Sequence, residues 1–313
     1  MAITAGQLQL KAPAARVDVA PGPSQSPRRP ASGTLGSAVR ILARDRLTVA
    51  AAAVLLLFAL LAALAPVIAG ALGLAVNNVD LSQRFQAPSP SHWLGTDDFG
   101  RDQFARLLFG ARVSLSVGFL AAIVNLTAGL SLGLTAAFYG GWVDDLITWL
   151  VNTVRSIPGL FLLLIVAAIF RVGPAGLAII IGLTSWTGGA RLVRGQALQI
   201  REAEYISAAR SLGASNRRIV LLHLLPNVLP VAIVLLGIDV GEAILRESAL
   251  SYLGLGIQPP DASWGNMLSN AQSFFTRAPW LVYAPGGVIA ATVWCLFTLG
   301  DGLRDALDPR HLR

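Results

Sequence analysis

The chain has 313 residues, 54% of them hydrophobic and only 13% charged, with a mean hydropathy of +0.63 and a formal net charge of +7. That balance lies outside the range of ordinary soluble domains. One cysteine, Cys295, excludes an intramolecular disulfide, and one lysine, Lys11 near the start, excludes a Walker-type phosphate loop in the body of the chain.

Pro13, Pro21, Pro23, Pro27 and Pro30 punctuate a Pro-, Ala- and Ser-rich opening that predicts a mobile tail. The first apolar run begins at Leu47, too late and too long for the core of a cleavable signal. Residues 47–79, 113–143, 172–190 and 278–300 carry no Asp, Glu, Lys or Arg, and a helix needs roughly 20 apolar residues to cross the hydrocarbon. Two further runs hold isolated charges: 146–170 contains Arg155, and 226–250 contains Asp239, Glu242, Arg246 and Glu247. Six transmembrane helices are predicted near 47–69, 113–138, 146–170, 174–192, 226–248 and 281–302. Backbone groups must be satisfied inside the bilayer, so the expected fold is all-α, a polytopic membrane helix bundle. The expected organisation is a tail over 1–45, a first span with an external segment over 46–110, and a core over 111–313.

Arginines set the expected orientation. Arg16, Arg28, Arg29, Arg40, Arg44 and Arg46 flank the first span, and Arg191, Arg194, Arg201, Arg210, Arg217 and Arg218 follow the fourth. The positive-inside rule then puts both termini and the 201–226 segment in the cytoplasm. The sequence pI of about 10.6 reflects these membrane flanks, and nucleic acid is not an expected partner.

Four motifs along the chain need weighing. His92, Asp97, Asp98 and Asp102 match no strong metal-ligand spacing; Thr96-Asp97-Asp98 ahead of Phe104, Leu107 and Leu108 reads as the capped start of a short surface helix, and no metal site is expected. Gly129, Ser131 and Gly133 fit G-x-S-x-G, but no strand precedes them. The helix-packing reading of a G-x-x-x-G pair, repeated at Gly237 and Gly241, is preferred. Arg155 falls near mid-span by straight-helix arithmetic, either paired with a carboxylate of a neighbouring helix or lining a solute path. Glu242 and Arg246 form an i,i+4 pair, whereas Asp239 and Glu247 lack local partners.

Residues 201–226 form a polar interruption between spans. Tyr205, Ala208, Ala209 and Leu212 share one helical face at i, i+3, i+4, i+7. Alanine in mid-stripe lets that face lie close in another protein's groove. Gly213 suits a positive-φ helix end, Ser215 can cap a second helix, and Pro226 marks the return to apolar sequence. The pattern reads as a docking handle for a cytosolic partner.

His92-Trp-Leu-Gly-Thr-Asp97, Gly100-Arg101-Asp102, Tyr139-Gly-Gly-Trp-Val-Asp144, Ala208-Ala209 with Gly213, Leu225-Pro226-Asn227, Gln258-Pro-Pro260, Ser263-Trp-Gly265 and the run from Gly300 to Pro309 resemble one family from about residue 40 onward. It is the C-type permease subunit of the peptide/nickel group of bacterial ATP-binding-cassette importers. The resemblance implies the type I importer permease (MetI-like) fold in the inner membrane. It implies a B-type permease partner, two cytosolic ATPase subunits that bind the ATP and magnesium, an external solute-binding protein, and no cofactor on this chain. Coupling then falls to Tyr205, Ala208, Ala209, Leu212, Gly213 and Pro226; apart from the resemblance, the charges inside the spans make Arg155, Asp239 and Glu242 the candidates for the solute path. The chain departs from the pattern at Ser207 and His223, and has Asn152 and Arg155 where the family has an acid and an apolar residue. The competing reading is an ion- or proton-coupled secondary transporter using Asp239, which leaves the Ala-faced elbow unexplained.

Overall fold

The computed structural model describes residues 40–307 apart from positions 171 and 270. Most of the predicted tail and the last residues, 308–313, lie outside the described residues. The described chain is helical, with one isolated bridge between Thr96 and Asp102. Its elements are α1 (Arg46–Ala71), α2 (Gln103–Tyr139), α3 (Gly141–Ser156), α4 (Gly159–Ile169), α5 (Pro174–Ser185), α6 (Thr187–Arg201), α7 (Glu204–Ser211), α8 (Asn216–Ile219), α9 (Leu225–Tyr252), α10 (Trp264–Met267), α11 (Ala271–Phe274) and α12 (Trp280–Leu307). Among the described residues, four continuous helices are long and apolar enough to cross a membrane, and two bent pairs, each counted as one span, make up to six.

The third and fourth spans, expected as single rods, are these bent pairs. α3 and α4 meet at 85°. Pro158 forces Ile157 into an extended conformation (φ −91°, ψ 126°), which ends α3. α5 and α6 meet at 48°. There the Thr184 and Ser185 hydroxyls donate back to the Ile180 and Ile181 carbonyls, a pattern that bends helices, and Gly188-Gly189 follow directly. Asp145 and Arg155 both lie on α3, so the rise counted between them stands, and the bend at Pro158 turns only residues 159–169 off that axis.

Two boundaries move for stated reasons. Asp102, and not the Thr96–Asp98 run, caps α2 by accepting from the Ala105 amide at 2.8 Å. The expected short surface helix is thus the first turns of α2 itself. Pro226 does not end the elbow. The chain runs from α8 through a π turn, Val220–Leu224, into α9. The wider turn, closed by the Leu225 amide on the Val220 carbonyl, accommodates a proline that has no N–H to give.

α2 is the central helix and packs against α1, α5, α6 and α9. Where hydrocarbon surrounds the bundle, helices associate through close contact more than through apolar burial. A Cβ on Gly133 would lie 2.7 Å from the Ala190 carbonyl oxygen, and one on Gly129 3.1 Å from the Ala190 amide, both on α6. Gly129 and Gly133 thus form a packing seam, and Ser131 is exposed away from it. Gly237 and Gly241 face Gly300, Leu296 and Phe297 of α12 less tightly, with a Cβ on Gly237 no nearer than 3.9 Å to any of them.

These contacts set a stability test. Gly133→Val forces backbone apart and should cost about 1–3 kcal/mol, whereas Gly286→Ala meets no neighbouring atom. Cys295, 2% exposed, is the reporter: a thiol-reactive dye on the detergent-solubilised protein should register a lower midpoint for Gly133→Val and none for Gly286→Ala. Equal midpoints would refute tight α2–α6 packing.

Candidate functional site

Three groups of residues carry the chemistry. The first is the elbow. α7 is held to the bundle by Ile206, 1% exposed, which clusters with Ala197, Ile219, Leu224 and Val228. Its outward face presents Tyr205, Ala208 and Leu212, the last 89% exposed, while Ala209 is half-buried. Gly213 has φ +82° at the end of α7, where a side chain would be strained. Ser215 caps α8 by accepting from the Arg218 amide at 3.3 Å. Burial raises the Tyr205 phenol above its ordinary pKa, and its ring lies 6.2 Å from that of His223 in the π turn.

The inner end of α2 is tied beside the elbow. Gly140 (φ +65°) turns the chain between α2 and α3. Arg201 donates to the Ala137 carbonyl at 2.6 Å, one of the groups a helix terminus leaves free. Asp144 of α3 accepts two bonds from Arg194 of α6, both at 2.5 Å. This pair, 50 residues apart, explains why an acid follows the Gly140-Gly141 turn.

The second group is the cap over the opposite end. His92 uses both ring nitrogens, on Asp102 at 2.8 Å and Gln83 at 2.9 Å. Asp97 takes the Arg101 guanidinium at 2.7 Å and the Phe99 and Arg101 amides at 2.9 Å, with Arg106 at 3.6 Å. Burial, with the Asp97 charge beside it, pushes the Asp98 carboxyl above the usual carboxylate range. Gly100 (φ +75°) passes so close to Asp80 that a Cβ would lie 1.8 Å from its carbonyl oxygen. His92, Asp97 and Asp102 thus knit the cap to the start of α2, while Asp98 stays within the loop, 3.9 Å from Arg101.

Glu247, which the sequence leaves unpartnered, is the hub of this cap. It is 0% exposed and accepts from Ser251 at 2.7 Å and from Ser114 of α2 at 3.1 Å. Ser114 in turn accepts the Trp264 amide at 3.1 Å, and Ser251 accepts the Ile257 amide at 2.9 Å. The Trp264 indole donates to the Leu107 carbonyl at 3.1 Å. One carboxylate therefore links α2, α9 and the 253–268 segment; such a link spans 133 residues and leaves no local sequence signal.

The third group is a polar seam between spans. Arg246 donates to Glu242 at 3.0 Å and to the Ser185 hydroxyl. Asp239 lies one turn away, half-buried, and the Asn125 amide of α2 approaches it. Arg155 is exposed, has no carboxylate within ion-pair distance among the described residues, and stands beside Gly188. Its expected pairing with a neighbouring carboxylate is not formed. Asn152, three residues earlier, accepts from Arg191 at 3.0 Å.

Apolar spans, a polar seam between them and an exposed helix–Gly–helix elbow are the features of a membrane permease. The family model for "Binding-protein-dependent transport system inner membrane component" matches residues 129–313. The chain is 40% identical to the dipeptide transport system permease protein DppC of Alkalihalophilus pseudofirmus over 87% of its length and 89% of that protein's. It is 40% identical to the glutathione transport system permease protein GsiD of Pectobacterium atrosepticum (75% and 78%), and 39% identical to the oligopeptide transport system permease protein OppC of Bacillus subtilis (71% and 73%). Among solved structures, a chain of the inward-facing MetNI methionine ABC transporter superposes with a TM-score of 0.52 at 22% identity, covering 65% of this chain and 97% of that one. The chain belongs to the family of inner-membrane components of binding-protein-dependent transport systems, and it is a permease subunit of an ATP-binding-cassette importer with the MetI-like fold.

The Glu247 hub has a direct test. Glu247→Ala strips two buried hydroxyls of their acceptor and should cost about 1–3 kcal/mol for each group left unsatisfied. Hydrogen exchange at the Trp264 and Ile257 amides should accelerate while exchange within α6 stays at the wild-type rate. Unchanged protection of both amides would remove Glu247 from this role.

Proposed function

We propose that this chain is the C-type permease subunit of a peptide importer, forming half of a solute path with a B-type permease and engaging two cytosolic ATPase subunits through α7. An external solute-binding protein delivers the solute, and ATP and magnesium are held by the ATPases. The observation that carries the reading is the outward face of α7, Tyr205, Ala208 and Leu212, presented on a helix that is itself locked by buried Ile206. The relatives named for dipeptide, glutathione and oligopeptide transport support peptides as the solute class. Movement of the ATPases would be passed through α7 to the cluster that joins it to α2, α6 and α9, shifting the two permeases between inward- and outward-open arrangements.

Ala208 gives the clean test, because it is exposed in this chain and its replacement disturbs no contact within it. Ala208→Trp should abolish peptide uptake and substrate-stimulated ATP hydrolysis in the assembled complex, with the thermal midpoint reported by Cys295 unchanged; a bulky ring cannot enter a close-packed groove. Wild-type uptake by Ala208→Trp would sink the coupling role.

Orientation is part of the same proposal, with residues 80–110 and 252–278 outside and both termini and the elbow inside. In a Cys295→Ala background, cysteine at exposed Ser91 should react with an impermeant thiol reagent in intact spheroplasts, and cysteine at exposed Ser215 should react only after lysis. The inverse pattern would reverse the topology.

A further inference from the structure

The polar seam converges at the bend between α5 and α6. Ser185 ends α5, and Gly188 and Gly189 follow on α6 without side chains to fill the space. A Cβ on Gly188 would lie 3.7 Å from Arg155 Nη1, and one on Gly189 4.0 Å from Asn125 Oδ1. Four helices thus bring polar groups to one place in the spans: Asn125 from α2, Arg155 from α3, Ser185 from α5, and Asp239, Glu242 and Arg246 from α9.

On the acidic side of the bend, Asn125, Ser185, Asp239, Glu242 and Arg246 are the polar lining of a small cavity of about 10 Å³. That is room for one water or one compact head group. Asn125 is only 6% exposed, and its Oδ1 has no hydrogen-bond partner. A buried acceptor left alone is costly. Arg246 is already committed to Glu242 and Ser185, and Asp239 has no ion-pair partner among the described residues, so the cavity holds a carboxyl group that no cation of this chain answers. Glu242 and Arg246 are exposed in part on this chain, and charges within a span face water or protein, not lipid. The open mouth of the cavity therefore belongs to the solute path or its wall.

We propose that Asn125, Asp239 and Glu242 form a subsite for a primary ammonium group carried by the solute. The assignment rests on the importer reading above. A primary ammonium offers three donors and no acceptor, matching one amide oxygen and two carboxylates, and it is compact enough for the cavity. A guanidinium or a quaternary ammonium is too broad. Arg155, across Gly188, supplies the opposite charge, so the two glycines separate a cation-attracting face from an anion-attracting one.

The test uses the assembled transporter in proteoliposomes with Cys295→Ala and a reporter cysteine. Gly189→Cys is sterically open and faces Asn125, and Gly188→Cys faces Arg155. The ratio of reaction rates with a cationic and an anionic methanethiosulfonate reads the local charge. That ratio should be about tenfold higher at Gly189→Cys than at Gly188→Cys, the lower end of what charge focusing in a cleft produces. Adding Asp239→Asn or Glu242→Gln should remove most of the difference. Methylammonium replacing sodium at constant ionic strength should slow modification of Gly189→Cys, and tetramethylammonium, which has no N–H, should not. If Gly189→Cys does not assemble, Ser185→Cys lines the same cavity and carries the same measurement. Equal ratios at the two positions, no effect of the carboxamide variants, or equal effects of the two ammonium ions would each overturn the subsite. Uptake of labelled dialanine by the same vesicles separates the two readings. Ammonium protection without peptide uptake counts against the peptide importer alone, and peptide uptake without ammonium protection counts against the subsite alone.

Discussion

The arrangement depends on how closely α2 lets its neighbours approach. Four close contacts around it have glycine on one side. Gly129 and Gly133 meet the α6 backbone, Gly118 meets Ile244 of α9, and Gly182 of α5 lies where a Cβ would be 2.7 Å from the Ala121 carbonyl. In lipid the apolar surface of a helix is nearly as well solvated as it is in the bundle, so packing contact has to supply the association. Glycine seams do this by removing the side-chain layer between backbones. They also bring Asn125 of α2 within reach of α9 and of the α5–α6 bend. Widening the α2–α6 seam by one side chain would draw Asn125 away from Gly189 and dissolve the polar meeting point.

Polar chemistry is distributed by the same logic. At the capped end, Asp97 pairs with Arg101 and Arg106, and His92 with Asp102, over the first turns of α2, and Glu247 draws the 253–268 segment onto the same helix. At the other end, Asp144–Arg194 and Arg201–Ala137 tie α3 and α6 to the close of α2. α2 is therefore anchored at both ends by charge-assisted bonds, which are stronger than neutral ones, while its middle is held mainly by packing. A rigid rod fixed to the elbow cluster at one end and to the cap at the other can carry displacement between them; the broken third and fourth spans supply the joints.

How much of this was legible in the sequence follows from the range of each interaction. Spans were visible because length and the absence of charge are local properties, and the elbow because Gly213 and Ser215 act within a few residues of themselves. Pro158 and the Gly188-Gly189 pair were equally visible, but a bend of 85° or 48° depends on what the two halves pack against. The π turn at 220–224 escaped because a proline after an amphipathic helix ordinarily marks its end, and here the chain widened by one residue instead of stopping. Glu247 and Asp144 gained partners 133 and 50 residues away, and no local pattern encodes such a pair. The G-x-S-x-G match was read correctly as packing because a mid-helix serine has no neighbouring base to activate it.

The faces left uncovered argue for what the chain lacks. Trp142, Trp149, Leu183 and Leu245 are apolar and exposed, as lipid-facing positions are. Arg155 and Glu242 are exposed too, and for them lipid is not an acceptable surrounding. They stand on α3 and α9, on either side of the α5–α6 bend, each facing outward from the bundle. A single subunit cannot enclose them, so the stable state of these side chains requires a second wall with water or protein between. The charged faces therefore point to a path completed by another subunit. Of the two competing transport mechanisms, this one also gives the Ala-faced elbow a task, since a path built from two subunits must be opened by something that grips both.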